Sequence, residues 1–190
     1  MNRRAFAAAF AATGALAYLI AMVVVGALPE QKQLVKFEAK GVMKLQPELI
    51  SRVELQRGTE TAILKRTSGG WIKEDGSAVP AELGARISMG VQFMNTAGPL
   101  RTMDTPEIQG SNPRDFGLEP PRVRFKLFQD SQAVLGARFG AHNIEDTAQY
   151  MALEGQPELY LMSRFVGQEW EAVAAGVFKR PPVSAAPSRP

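Results

Sequence analysis

The sequence predicts an α+β fold: an N-terminal transmembrane helix followed by one antiparallel-sheet domain built as meander, helix, meander, helix. Three observations carry this reading. Ala5 to Leu28 is a run of 24 residues without a charge. After it, short segments rich in β-branched and aliphatic residues are separated by Gly, Pro and Asp turns at hairpin spacing. Twice this pattern gives way to a helical period, between Pro80 and Asn95 and again after Ser163.

At a rise of about 1.5 Å per residue the apolar run is roughly 36 Å long, against a hydrocarbon core of about 30 Å. It can span a bilayer with some tilt. A cleaved signal peptide is the competing reading, with Arg3 and Arg4 in front and small residues at Val25 and Ala27. The apolar core of such a peptide runs only about 7 to 15 residues, which favours an uncleaved anchor. The start Asn2-Arg3-Arg4-Ala5-Phe6 faintly resembles a twin-arginine export signal. Lys32, Lys36, Lys40 and Lys44 nearly balance Arg3, Arg4 and the terminal amine. The arginines abut the apolar run whereas the lysines are spread among Glu30 and Glu38, so the amino end is expected inside and the domain in the periplasm. The expected organisation is an inner-membrane anchor at 1–28, a juxtamembrane arm at 29–48, an α+β periplasmic domain at 49–178 and a disordered tail at 179–190.

About 160 residues follow the anchor, enough for one domain with a sizeable core. The chain has no cysteine, which excludes a disulfide framework, a thiolate nucleophile and a cysteine-based metal site. A sequence pI near 9.3 invites a nucleic-acid reading. Of the 22 Lys and Arg residues, two precede the anchor and three (Lys179, Arg180, Arg189) lie in the tail, leaving 17 against all 19 Asp and Glu. The central part is slightly acidic, and no nucleic-acid partner is expected.

In chain order, Pro29 closes the apolar helix, and Val35, Phe37 and Ala39 alternate with Lys36, Glu38 and Lys40 in an arm that reads as a short strand or as one helical face. Ile50–Arg57 and Thr61–Arg66 form a hairpin across Gly58-Thr59-Glu60, and Gly69-Gly70 leads into a third strand at Trp71–Glu74. Leu83, Ile87, Val91 and Met94 then share one helical face, started by Pro80 and stopped by Gly98-Pro99. This helix is expected to lie across the preceding sheet. Gly84 and Gly90 in its body each cost about 1 kcal/mol relative to Ala, so either the backbone approaches the sheet closely there or the helix is modest in stability. A short strand at Leu100–Met103 precedes Asp104–Pro121, whose prolines and glycines exclude a regular element; Phe116 and Leu118 pin this loop onto the core. Arg122–Phe128 alternates, Val123, Phe125 and Leu127 inward and Arg122, Arg124 and Lys126 outward. Ala133–Phe139, Gln149–Glu154 and Glu158–Met162 complete the second meander. The last helix is capped by Ser163 and buries Phe165, Val166, Trp170 and Val173.

Catalytic, cofactor and metal residues are not found at this level; the site assignment is none for each. His142, the single histidine, lies near Glu145 and Asp146 and is read as a solvated hairpin tip rather than a metal ligand or general base. Asp104 with Glu107, and Asp115 with Glu119, are read as turn acids rather than an acid–base pair. The glycines at 69 and 70 open into a strand, so they are not a phosphate loop. The stripe Arg122, Arg124, Lys126 suits an acidic partner or lipid head groups, but more simply it is the wet face of a strand. Trp71, Tyr150, Tyr160 and Trp170 are assigned to packing.

Ile50–Leu55, Gly70-Trp71, Phe116-Gly117-Leu118-Glu119-Pro120, Gly136, Gln149-Tyr150 and Glu158-Leu159-Tyr160-Leu161 together resemble the bacterial envelope domain of unknown function 4340, known from auxiliary components of gliding-motility ABC transporters. The likeness runs from about Ile50 to Ala175, with the proline after Phe-Gly-Leu one residue early unless Pro121 is its match. It implies an α+β envelope domain with no established enzyme activity, and so no functional residues to carry over; no enzyme activity and no cofactor are expected. Size, anchor and alanine-rich start are also similar to the membrane-anchored accessory proteins of periplasmic methylamine dehydrogenase systems, the MauL type. That resemblance implies a part in maturing or assembling such a dehydrogenase. The expected role is a non-enzymatic accessory protein with envelope partners; the alternative is a ligand- or polymer-binding module using the 104–121 loop, auxiliary to an ABC transporter.

Overall fold

A computed structural model describes residues 13–23 and 40–179. The chain divides into two units, Met1–Glu38 and Ala39–Pro190. In the first, residues 13–23 are helical with exposed side chains. No helix among the described residues is long and apolar enough to cross a membrane. The expected anchor extends beyond residues 13–23 on both sides, and it lies largely outside the described residues, as do arm residues 29–39 and tail residues 180–190.

The second unit is α+β, with eight antiparallel strands in one sheet. Strands β1 (Arg52–Arg57), β2 (Glu60–Thr67) and β3 (Gly70–Lys73) form the first meander, and β5 (Val123–Gln129), β6 (Gln132–His142), β7 (Ala148–Leu153) and β8 (Leu159–Ser163) the second. Strand β4 (Arg101–Met103) pairs with β8. The order is β3-β2-β1-β5-β6-β7-β8-β4, so pairing of β1 with β5 fuses both meanders. Gly58, at φ +59, lets Arg57 and Glu60 close the first hairpin over two residues. The β3 edge is covered by its own chain: Ile72 bridges Ala78, and Val79 N donates to Trp71 O at 2.9 Å. Ser77 shapes that cover, its hydrogen bonds holding the Asp75 carboxyl below the usual carboxylate range.

Helix α1 (Ala81–Thr96) connects β3 to β4, the two opposite edges of the sheet. It crosses one face beside helix α3 (Arg164–Val177) and touches the sheet at β3. Its two glycines serve two tryptophans. A Cβ at Gly90 would stand 3.1 Å from the Trp170 indole and one at Gly84 3.5 Å from Trp71. The close approach at Gly90 is therefore to the neighbouring helix, not to a strand. Trp170 in turn stacks on Phe125 of β5 at a centroid distance of 3.7 Å and an interplanar angle of 11°. Burying a side chain of this size contributes about 3 kcal/mol. Leu55, Leu64, Ile87, Val91, Leu127, Phe139 and Met151 fill the same core.

From the β4 edge the chain returns beneath the other face. Phe116 and Leu118 reach the sheet there, packing with Met103, Tyr150, Ala152 and Leu159 in a second core. The sheet is thus covered on both faces at β6-β7-β8 but on only one at β3-β2-β1-β5.

Five expectations change. The 104–121 loop contains a helical turn, α2 (Thr105–Ile108), because Asp104 caps it and Pro106 sits in the first turn, where no amide is missed. Strand β6 runs on to His142, which pairs with Gln149 after a register shift, so His142 ends a strand instead of tipping a loop. In α3 the buried stripe is Val166, Gly167, Trp170, Val173, Ala174 and Val177; Phe165 lies at its margin, 50% exposed, edge-on to Phe93. Ser163 precedes α3 without a side-chain capping bond. Residues 40–46, placed in the arm by sequence, pack on the domain: Met43 is 2% exposed, and Asn95 Nδ2 donates to the Met43 and Leu45 carbonyls at 3.1 Å each.

Candidate functional site

The polar residues singled out in the sequence are mostly spent on local structure. Asp104 Oδ1 accepts from Glu107 N at 3.1 Å, and Glu107 pairs with Arg101. Asp115 Oδ2 accepts from Asn112 N at 3.0 Å. Around the β6–β7 turn, Asn143 Oδ1 accepts from the amides of Thr147 and Ala148 at 2.9 Å each. His142 Nδ1 lies 2.9 Å from Asp146 Oδ1, and Arg164 at the start of α3 pairs with the same carboxylate. Glu145 instead faces Asn143 at 3.4 Å. The imidazole is only 18% exposed, and its Nε2 is shielded from water without a partner. An imidazole so placed ties a strand end to a helix start; its free nitrogen does not face solvent. Among the described residues no group of three His, Cys, Asp or Glu can hold a metal ion.

The basic stripe is divided among three environments. Arg122 lies 3.7 Å from Glu171 of α3, and Lys126 lies 2.9 Å from Glu154, whose carboxylate crosses over Gly136. Arg124 remains, opposite Arg138 in the β5–β6 register. Arg138 contacts Glu119 at 3.6 Å. Tryptophans 71 and 170 and Tyr160 are buried and Tyr150 is half-buried, as packing requires. Trp71 Nε1 donates to Ser88 Oγ at 2.9 Å, while the Arg66 guanidinium lies 4.9 Å from the Trp71 ring centroid. Burial pushes Arg66 below its usual value, and Glu48 opposes the shift.

Two features go beyond the sequence reading, which weighs the 104–121 loop for binding but singles out neither Gln149 nor the residues that charge the cavity for a functional role. The first is Gln149, fully buried between β7 and α3. Its Nε2 donates to Gly140 O at 2.9 Å and Glu171 Oε1 at 2.8 Å. Gly167 makes room for it, since a Cβ there would stand 1.8 Å from Gln149 Oε1. The second is a cavity of about 120 Å³ where the 104–121 loop crosses the sheet. Ile108, Pro113, Phe116, Leu118 and Leu159 give it apolar walls, and Arg138 and Glu158 give it charge. Glu158 Oε2 is shielded from water and has no donor. An arginine set among small and apolar residues, Leu135-Gly136-Ala137-Arg138-Phe139-Gly140, was the available signal.

The arrangement suits binding of an apolar group carrying an anionic end. Comparison with protein-family models, with curated proteins and with solved structures gives no match.

Proposed function

We propose that this chain is a non-enzymatic accessory or assembly protein, held at the inner membrane by residues 1–28 and presenting its α+β domain to envelope partners in the periplasm. The observation that carries the reading is the uncovered half of the sheet. On β1, β2 and β5, the residues alternating with the core, among them Arg52, Glu54, Lys65, Arg124 and Lys126, are half-exposed or exposed. Such a broad, mixed-charge face can meet a partner of complementary charge. The histidine and the acidic pairs, meanwhile, are engaged in caps and ion pairs that support the fold. The resemblance to the MauL type gives the proposal its specific form, support of a periplasmic dehydrogenase such as methylamine dehydrogenase during maturation.

Two experiments test it. Because the chain lacks cysteine, Thr59→Cys in the exposed β1–β2 turn provides a unique label away from that face. A membrane-impermeant maleimide should modify it in intact spheroplasts, and protection until lysis would refute the topology. Crosslinking and purification of the full chain from membranes should recover an envelope complex, and repeated recovery of the chain alone would refute the accessory role.

The alternative, a ligand- or polymer-binding module such as an auxiliary component of an ABC transporter, is favoured by the cavity beneath the 104–121 loop. A thermal shift of the full chain with an envelope polymer fragment, abolished by filling that cavity, would support it.

A further inference from the structure

We propose that the cavity beneath the 104–121 loop binds the carboxy-terminal residue of a partner polypeptide. Its apolar side chain occupies the cavity, its α-carboxylate lies on Arg138 and Arg124, and its backbone N–H donates to Glu158. The proposal rests on the reading of the domain as a partner-binding module and makes no use of the anchor.

Size is the first argument. An apolar cavity of about 150 Å³ accepts a benzene molecule, so the 120 Å³ here corresponds to one side chain of leucine class. Its walls, Ile108, Phe116, Leu118 and Leu159, belong to the second core and offer only apolar contact.

Charge is the second. Arg124 and Arg138 are direct cross-strand partners. Both point away from the helices, because Val123, Phe125, Ala137 and Phe139 beside them fill the helix-side core. Like charges opposite one another weaken a sheet. Among the described residues, the carboxylate within ion-pair distance is Glu119, 3.6 Å from Arg138 and itself half-exposed; Arg124 has none. An incoming carboxylate would relieve both guanidinium groups and accept charge-assisted hydrogen bonds.

The third argument concerns the rest of the ligand. Glu158 lines the cavity with a carboxylate oxygen that lacks a donor and can accept a backbone N–H. Arg138, on β6, marks the side of the cavity towards β5, where the sheet face is bare. The preceding residues of a bound chain can leave along that face. A free amino acid would use the same carboxylate contacts, with its ammonium on Glu158, and competition with free leucine separates it from a chain end.

The test is fluorescence anisotropy on the full chain in detergent micelles with a fluorescein-labelled peptide, Gly-Ser-Gly-Ser-Ala-Leu, bearing a free carboxylate. Micromolar binding is expected, weakened about tenfold or more by amidation of the peptide end or by Arg138→Gln. Ser111→Trp, at the exposed rim, should block the cavity with the unfolding temperature unchanged. No binding at about 1 mM peptide, or equal binding of acid and amide, overturns the inference. Displacement by free leucine at the peptide's own concentration overturns the assignment to a chain end. Should purification from membranes recover the same envelope complex with Ser111→Trp and Arg138→Gln, this inference fails while the accessory reading stands.

Discussion

Gly167→Ala is the substitution whose outcome the fold fixes most tightly, because the ordinary expectation points the other way. In the interior of an exposed helix, Gly to Ala gains about 1 kcal/mol. Here the new Cβ would stand 1.8 Å from Gln149 Oε1, 2.6 Å from its Cδ and 3.2 Å from Phe139 Cδ1. The amide is held between Gly140 O and Glu171 Oε1, so it cannot swing away without breaking those bonds. Overpacking costs about 1–3 kcal/mol, and a lost bond to a charged acceptor about 1.5–3 kcal/mol. Against the helical gain, the net loss is about 1.5–5 kcal/mol, centred at about 3 kcal/mol. For a domain of this size that lowers the midpoint by roughly 10 °C, readable by circular dichroism on the full chain in detergent. Gln149→Ala in the same molecule removes the obstructing amide, so the double variant should lie about 1–2 kcal/mol above the sum of the singles. A Gly167→Ala midpoint at or above that of the parent, or strict additivity in the cycle, would refute the reasoning.

Other outcomes follow from the same contacts. Burial, with Glu158 adding to it, raises the Tyr160 phenol above its ordinary 10.0. Its contribution is therefore complete below about pH 10 and lost as pH rises from there through the folded value. Tyr160→Phe loses the 2.9 Å bond to Gln156 at neutral pH, a cost of about 1 kcal/mol, and urea titrations should show that deficit shrinking above pH 10; a constant deficit would contradict the assignment. Asp104→Ala removes the cap of α2 and should cost about 1 kcal/mol, seen as faster hydrogen exchange across 104–121 with little change in the core amides. His142→Ala should leave recovery of envelope partners intact, since the imidazole serves the β6–α3 junction; loss of the complex with folding preserved would return His142 to the candidate ligands.

Much of this architecture is legible one element at a time. The alternation in Arg122–Phe128, the hairpin spacing around Gly58 and the period of Leu83, Ile87, Val91 and Met94 are local, and each follows from backbone geometry. What the chain does not write locally is the pairing of β1 with β5 and the placing of β4 beyond β8. Those are choices between distant edges, made by where α1 can lie. A helix of 16 residues spans about 24 Å, and with its flanking loops it carries the chain from one edge of the sheet to the other. Once β4 is at the far edge, the segment from Asp104 must come back beneath the sheet to reach β5. The second core and the cavity are consequences of that return. Prolines show that the segment is irregular, but not that it covers a face.

The same distinction separates the candidate residues. Asp104 and Asp115 each have a short-range use, accepting from Glu107 N and Asn112 N, because neighbours in sequence are the first partners available to a turn. The residues left with unmet charge are instead those whose neighbours come from other strands. Arg138 meets Arg124 only through the β5–β6 register, and Glu158 reaches the cavity only because β8 lies beside β7. A fold can retain such imbalance without great cost while one side stays open to water, as these guanidinium groups do. It is the incomplete coverage of one sheet face that keeps the arginine pair solvated, and a partner covering that face would have to supply the carboxylate or carry the full cost of burying two like charges.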